Sequence, residues 1–108
     1  MIVEFITVTC PPGKRDAFIQ RDDEVWTAGL MTQPAFLGKE VWTDPNDPDK
    51  VYLAIHLKSR ELLNAIPLSF CEEMDAAMGD LLMPIHSVIL DVTLPDARYR
   101  QEEMAGGK

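Results

Sequence analysis

The chain lacks several features that would assign a protein to a functional class directly. Basic residues are in the minority, because 10 Lys and Arg stand against 18 Asp and Glu, and the net charge of the 108 residues is −8. Nucleic acids and anionic membranes both attract basic surfaces, so neither is an expected partner. No apolar run approaches the roughly 20 residues that a membrane-spanning helix needs. The first residues enter a strand directly, without the basic segment of a secretory signal.

Cysteine and glycine are too sparse to form the common cofactor-binding motifs. Cys10 and Cys71 lie far apart and match neither a metal-ligand spacing nor a redox pair. Gly13, Gly29 and Gly38 are isolated, so the chain has no phosphate-binding loop, dinucleotide fingerprint or nucleophile elbow. We therefore expect no cofactor and no metal site, and a cytoplasmic protein with two reduced thiols.

Strand and helix patterns extend over most of the chain, whose length suits one domain. Ile2–Thr9 is rich in β-branched residues and predicts the first strand. Apolar residues at helical spacing then predict a helix over residues 14–33. Phe36–Trp42 and Val51–Leu57 predict two strands of a hairpin, with a long polar loop at Asp44–Asp49.

The second half of the chain repeats the change from helix to strand. Ser59 is a favourable N-cap for a short helix that Pro67 interrupts. The pattern Ser69–Glu72 has the form of a capping box, so it predicts that a second helical segment starts there. Pro84 marks the end of that segment, and Ile85–Leu94 predicts the last strand.

The predicted order is therefore strand, helix, strand, strand, helix, strand. This order is that of the ferredoxin-like βαββαβ fold, an α+β architecture in which two helices cover one face of a four-stranded antiparallel sheet. We expect the domain to occupy residues 1–94 and residues 95–108 to form a polar C-terminal tail.

Alternation along the strands predicts that the two faces of the sheet differ. We expect the helices to cover the face that carries Val51, Leu53, Ile55, Leu57, Val88, Leu90 and Val92. The other face has too much apolar and aromatic area to remain in water, so it predicts a homodimer whose two sheets stack into a shared barrel. The residues expected at this interface, in the lumen of the barrel, are Glu40, Trp42, Tyr52, His56 and Asp91.

Four segments of the sequence resemble one known family: Asp22–Thr27, Phe36–Trp42, Ser59–Glu61 and Ala65–Pro67. The family consists of uncharacterised, mostly cyanobacterial proteins related to the antibiotic biosynthesis monooxygenase group of dimeric αβ-barrels. The resemblance covers nearly all of residues 1–94 and implies the dimeric, ferredoxin-like barrel. It implies no particular reaction, because that family has no assigned function.

The wider group includes cofactor-independent oxygenases of aromatic polyketides and haem-degrading enzymes. The haem degraders use an Asn on the first strand, a Trp on the third strand and a His on the helix that follows. This chain has no Asn in its first strand, has Leu57 where the Trp would fall, and has no His in Arg60–Met83. We therefore do not expect haem degradation by that mechanism.

Asp22 is the most informative candidate for chemistry, because it falls on the apolar stripe of the first helix, four residues from both Phe18 and Trp26. A carboxylate there is desolvated unless it is paired, which makes it a candidate catalytic group. The alternative is a position at the edge of the stripe or a cap on a backbone amide. The expected ligand-binding residues beside it are Trp26, Leu57, Met74 and Met78, for which ordinary core packing is the alternative.

Two functions remain open at this point. The first is the binding of a small apolar or aromatic ligand between sheet and helices; the resemblance suggests cofactor-independent monooxygenation as its enzymatic form, with Asp22 as the proton acceptor. The second is a non-catalytic homodimer that serves as a binding or interaction module.

Overall fold

Four antiparallel strands form one sheet in the computed structural model, which describes residues 1–96 and 98. The order across the sheet is β2-β3-β1-β4, with β1 and β3 in the centre. This confirms the predicted α+β class and its ferredoxin-like topology. The strands are β1 (Ile2–Thr9), β2 (Phe36–Asp44), β3 (Asp47–Leu57) and β4 (Ile85–Asp91).

The first helical region is one helix with a widened centre. It consists of α1 (Arg15–Asp22), a π-helical turn (Asp23–Thr27) and α2 (Ala28–Leu30). The junction residues Asp23 and Ala28 keep right-handed helical dihedral angles, so the chain runs through all three segments without a break. The predicted helix is therefore confirmed, but the π-helical turn is not evident from the sequence.

The second helical region consists of α3 (Arg60–Asn64), α4 (Leu68–Met78) and a short 3-10 turn (Gly79–Leu81). Ser59 caps α3 as predicted, since its Oγ accepts a hydrogen bond from the Leu62 amide at 3.1 Å. The capping box predicted at Ser69 is wrong. The Pro67 carbonyl already accepts bonds from the Phe70 and Cys71 amides, so α4 begins at Leu68 with no side-chain cap, and Ser69 lies inside the helix.

The prediction of a long polar hairpin loop at Asp44–Asp49 is also wrong, because the two strands continue through most of this segment. Asp44 still pairs with Asp47, so that only Pro45 and Asn46 form the turn. The Asp44 carboxylate accepts a hydrogen bond from the Asn46 amide at 2.8 Å, and Asp47 accepts one from the Asp49 amide at 3.1 Å. These side-chain acceptors favour a tight turn over a long loop.

The core lies between the helices and one face of the sheet. Its sheet side comes from alternate residues of β1 and β3, and its helix side from the first helix and the end of α4. Burial of each large apolar side chain stabilises the fold by about 1.5–3 kcal/mol. The largest side chains of the core with almost no exposure are Val8, Val51, Leu57 and Met78.

The side chains of strand β4 lie on the opposite faces of the sheet from those predicted. Asp91 pairs with Ile2, a core residue, so it lies on the helix side, where its carboxylate accepts a hydrogen bond from Arg60 at 3.0 Å. The placement of Asp91 in the lumen is therefore wrong. Val88 pairs with Phe5 and Leu90 with Val3, so both lie on the uncovered face instead of the helix side. Apolar residues occur at both parities of β4, and the pattern therefore does not define its register.

No helix among the described residues is long and apolar enough to cross a membrane.

Candidate functional site

A cavity of about 650 Å³ separates the helices from the helix-covered face of the sheet. Its walls are mostly apolar and come from the four strands, the first helix, α3, α4 and the segment before β4. Asp22, the candidate catalytic residue, lines the cavity together with Trp26 and Met78, and the roles of all three stay predictions. The polar groups that line it are Glu4, Asp22, Lys39, Cys71 and Asp75.

Two of the expected ligand-binding residues do not line this cavity. Leu57 is a core residue with 1% exposure, at the end of β3 where it pairs with Ile2 and Phe36. Met74 packs against the first helix instead, since its sulfur would lie 2.5 Å from a Cβ added at Gly29. Leu57 therefore has the alternative role of core packing, and Met74 contacts the first helix.

Asp22 is buried and forms an ion pair that the sequence did not predict. Its Oδ2 accepts a hydrogen bond from Lys39 Nζ at 2.5 Å, and the two side chains are only 3% and 4% exposed. Lys39 Nζ also donates to Thr27 Oγ1 at 2.9 Å. Asp22 is thus neither at the edge of the stripe nor, among residues 1–96 and 98, a cap on a backbone amide.

A β-bulge turns Lys39 toward the cavity. Phe36 pairs with Leu57 and Gly38 pairs with His56, so Leu37 is an extra residue in β2. An added residue reverses the parity of the strand from that point. Phe36 and Lys39 therefore both lie on the helix side, whereas three residues apart in a regular strand they would lie on opposite faces.

The π-helical turn positions Thr27 relative to Asp22, so that both side chains are partners of Lys39. Residues five apart in a regular α-helix point about 140° away from each other. The wider turn over Asp23–Thr27 brings Thr27 closer to the side of Asp22, so that one ammonium reaches both residues. Trp26 in the same turn forms one wall of the cavity and contacts Phe70 of α4 edge to face, at a centroid distance of 6.1 Å. Such turns are frequent at functional sites.

A second polar group lies at the other side of the cavity and was also missed. Glu4 occupies the helix-side parity of β1 between Ile2 and Ile6, and its carboxylate accepts a hydrogen bond from Ser87 Oγ at 2.8 Å. A carboxylate within that apolar alternation is the signal that could have identified it. Cys71 and Asp75, four residues apart on one side of α4, complete the group.

The Cys71 thiol has a raised pKa, for which burial is the main cause and the charges of Asp75 and Glu4 are further ones. The thiol is therefore neutral near pH 7, and the three side chains share one electrostatic environment. Within the described part of the chain, no three His, Cys, Asp or Glu side chains are arranged to hold a metal ion.

The remaining predicted residues come together on the uncovered face of the sheet. Glu40 accepts hydrogen bonds from Trp42 Nε1 at 3.0 Å and contacts His56 Nε2 at 3.1 Å. The Phe5 ring contacts those of both Trp42 and Tyr52, with both centroid distances at 5.8 Å. Their role at a dimer interface stays a prediction.

No protein-family model matches the chain, and no curated protein is significantly similar to it in sequence. Solved structures do match. A Deinococcus radiodurans protein named for the antibiotic biosynthesis monooxygenases aligns over 93% of this chain and 100% of its own, with a TM-score of 0.71 and 12% identity. SnoaB, a cofactor-independent oxygenase from Streptomyces nogalater, aligns over 88% of this chain and 98% of its own, with a TM-score of 0.67 and 14% identity.

A MhuD variant, with two manganese protoporphyrin IX molecules bound per active site, aligns over 91% of this chain and 100% of its own, with a TM-score of 0.67 and 14% identity. At these identities the comparisons establish the fold. The chain has the fold of the antibiotic biosynthesis monooxygenases, as the resemblance of its sequence implied.

Proposed function

We propose that this chain binds a small, largely apolar molecule that presents a hydroxyl or enol group to Asp22 and Lys39. The observation that supports this most is a desolvated ion pair at the wall of an apolar cavity. Removing two charges from water costs several kcal/mol for each ion, and apolar residues of similar size often give equal or higher stability. The cost of burying this pair beside a cavity therefore supports a role for it in ligand binding.

The hydrogen-bonding groups of the pair that remain unused suit a hydroxyl group. Asp22 Oδ1 accepts no hydrogen bond from residues 1–96 and 98, because Lys39 binds Oδ2. Lys39 donates two of its three N–H groups to Asp22 and Thr27, and the third has no acceptor in the same range. A ligand hydroxyl can therefore donate to Asp22 while its oxygen accepts from Lys39.

In the enzymatic form of the proposal, the ligand is a substrate that reacts with dioxygen without a cofactor. Asp22 takes the proton of an acidic phenol or enol, and Lys39 stabilises the oxyanion. The anion is electron-rich at the conjugated carbon that is a CH2 group in the keto tautomer, and dioxygen oxidises this carbon to a carbonyl. One oxygen atom stays on the product and the other leaves as water, so the substrate supplies all the electrons. The shared fold with SnoaB supports this form.

A non-catalytic binding module is the second candidate. The observation that favours it is that the Lys39 ammonium already occupies one oxygen of the Asp22 carboxylate. In this form the pair recognises the hydroxyl group of a ligand and no bond is broken.

We also propose that the protein works as a homodimer joined through the uncovered face of the sheet, where Trp42 and Leu90 are about half exposed.

We propose a cytoplasmic location as well. Both cysteines are free thiols, which suits the reducing conditions of the cytoplasm.

Equilibrium dialysis with naphthol and naphthalene tests the proposed binding. Hydrogen bonds to charged groups contribute about 1.5–3 kcal/mol, so naphthol should bind at least about tenfold more tightly than naphthalene. Replacement of both members of the pair, Asp22→Leu with Lys39→Met, removes the polar groups together and should abolish this preference. Asp23→Asn is the matched control, since Asp23 is an exposed acid next to Asp22. Equal binding of the two probes to the unmodified protein would contradict the proposal.

Oxygen uptake separates the two candidate functions. Dithranol is a phenol with an activated CH2 group, and its oxidation can be followed with an oxygen electrode. Uptake above the protein-free rate that is lost in the Asp22→Leu/Lys39→Met variant would favour the oxygenase. Binding of dithranol with no added uptake would favour the binding module.

A further inference from the structure

The polar groups of the cavity lie at two separate places along one row of the sheet. Lys39 of β2 pairs with Ile55 of β3, and Ile55 pairs with Glu4 of β1. All three side chains lie on the helix side. Since neighbouring strands are 4.7–4.9 Å apart, Lys39 and Glu4 are separated by about 10 Å, with an apolar side chain between them.

The two ends of this row differ in exposure. The Asp22–Lys39 pair is almost fully buried and forms the inner end of the cavity. At the outer end Glu4 is half-buried, and Asp75 is exposed on α4. Leu82 and Ile85, which are about half exposed, flank this opening beside the edge strand β4. Glu4 and Asp75 therefore line a more exposed part of the cavity than Asp22 and Lys39 do.

The charges at the two ends also differ. Lys39 neutralises Asp22, whereas neither Glu4 nor Asp75 forms an ion pair within the described part of the chain. The nearby Cys71 thiol is neutral and adds no charge of its own. The outer end therefore carries two uncompensated negative charges beside an apolar wall.

We propose that the ligand carries an ammonium or similar cation at the end that meets Glu4 and Asp75, opposite the hydroxyl or enol group that meets Asp22 and Lys39. This inference rests on the proposed function and specifies the chemical class of the ligand. An apolar or anionic ligand end would desolvate or repel the Glu4 and Asp75 carboxylates, whereas a cation compensates them. The Asp22 Oδ1 atom and the third N–H group of Lys39 bind the other end of the ligand.

A series of three hydroxyindoles tests the charge of the ligand. Serotonin, hydroxytryptophol and hydroxyindoleacetate share one hydroxylated ring and end in an ammonium, a hydroxyl and a carboxylate, respectively. Equilibrium dialysis should rank their affinities in that order, with about a tenfold step from the neutral probe to the cation. The step should shrink as the ionic strength rises, because the opening is in contact with solvent.

Glu4→Gln should remove most of the preference for the cation, and Asp75→Asn should remove part of it. Gln keeps an oxygen that can accept the Ser87 hydrogen bond, so the fold is preserved. Glu73→Gln is the matched control, because Glu73 is an exposed acid of α4 that does not line the cavity.

The outcomes separate this inference from the proposed function. Equal binding of serotonin and hydroxytryptophol, or a preference for serotonin that survives Glu4→Gln with Asp75→Asn, would overturn the inference and leave the proposed site intact. Absence of binding by all three probes would overturn the inference as well. The proposed function is overturned as well only if naphthol also fails to bind.

Discussion

The Asp22–Lys39 pair depends on both members, since each charge has lost most of its contact with water. The attraction between them and the bond to Thr27 offset that loss. When only one member is removed, the other remains buried without a counter-charge. A leucine in place of a lone buried aspartate would relieve a burial cost, but here the same change would strand Lys39.

We therefore predict opposite results for single and double replacements of the pair. Asp22→Leu and Lys39→Met should each lower the free energy of unfolding by about 3 kcal/mol, because each leaves a buried charge unpaired. The double variant should recover most of that loss, since both charges are absent. Urea denaturation followed by circular dichroism measures all four proteins, and the double-mutant cycle gives the coupling energy.

The Arg60–Asp91 pair provides the control for this cycle. Its side chains are 52% and 73% exposed, so Arg60→Met should change the free energy of unfolding by no more than about 1 kcal/mol. A double variant of Asp22 and Lys39 that is as unstable as the two single losses added together would contradict the coupling.

The sequence identifies Asp22 as a candidate residue but does not identify Lys39 as its partner. Asp22 can be identified because an acid interrupts an apolar stripe at helical spacing, a local pattern. The orientation of Lys39 depends on the bulge at Leu37, which arises from the pairing of β2 with β3. Alternation counted from Phe36 without that bulge places Lys39 on the wrong face, whereas alternation counted back from Glu40 places it on the helix side. Glu4 was equally visible in principle, since it interrupts the apolar parity of β1.

At the scale of elements, two serines at the starts of neighbouring helices have different roles. Ser59 accepts a hydrogen bond from the Leu62 amide, whereas Ser69 lies one residue inside α4 and caps nothing. We predict that Ser59→Ala lowers the free energy of unfolding by about 1 kcal/mol. Ser69→Ala should leave it within about 0.5 kcal/mol, because alanine has a higher helix propensity than serine. Urea denaturation of the two variants in parallel gives the comparison.

Equal losses for the two serine variants would show that α4 begins at the predicted capping box after all. The pattern Ser69–Glu72 is compatible with a cap, but Pro67 also suits the residue before a helix, and the sequence does not rank the two.

The strand order followed from the sequence because strands and helices alternate with clear breaks at Pro and Gly residues. The register of β4 did not, since Ile85, Val88, Ile89 and Leu90 include both parities. Only the pairing with β1 places Ile89 beside Glu4 and Leu90 beside Val3. The hairpin turn was misjudged for a similar reason, because Asp and Pro residues suit a tight turn and a long loop alike.

At the scale of the whole molecule, the two faces of the sheet have different surroundings. Helices cover one face, while the other presents aromatic and aliphatic side chains, among them Phe5, Trp42, Tyr52, Val88 and Leu90. A soluble monomer rarely leaves such a contiguous apolar surface in water. The corrected register of β4 strengthens the case for a dimer, since it replaces Ser87, Ile89 and Asp91 on this face with His86, Val88 and Leu90.

We predict that Leu90→Glu converts a homodimer into a folded monomer. Leu90 is 53% exposed in the single chain, so a carboxylate there remains hydrated when the chain is alone, whereas a dimer through this face would desolvate it. Ala54 is a poorer site for this test, because at 1% exposure a charge would disrupt the fold of each chain as well.

Multi-angle light scattering at micromolar concentration gives the mass of each species, and circular dichroism checks that the variant is folded. Met31→Glu is the matched control, since Met31 is 71% exposed and lies beyond the end of α2, away from the uncovered face. It should leave the mass unchanged. If the unmodified chain has the mass of a monomer, or if Leu90→Glu keeps the mass of a dimer, the two sheets do not meet through this face.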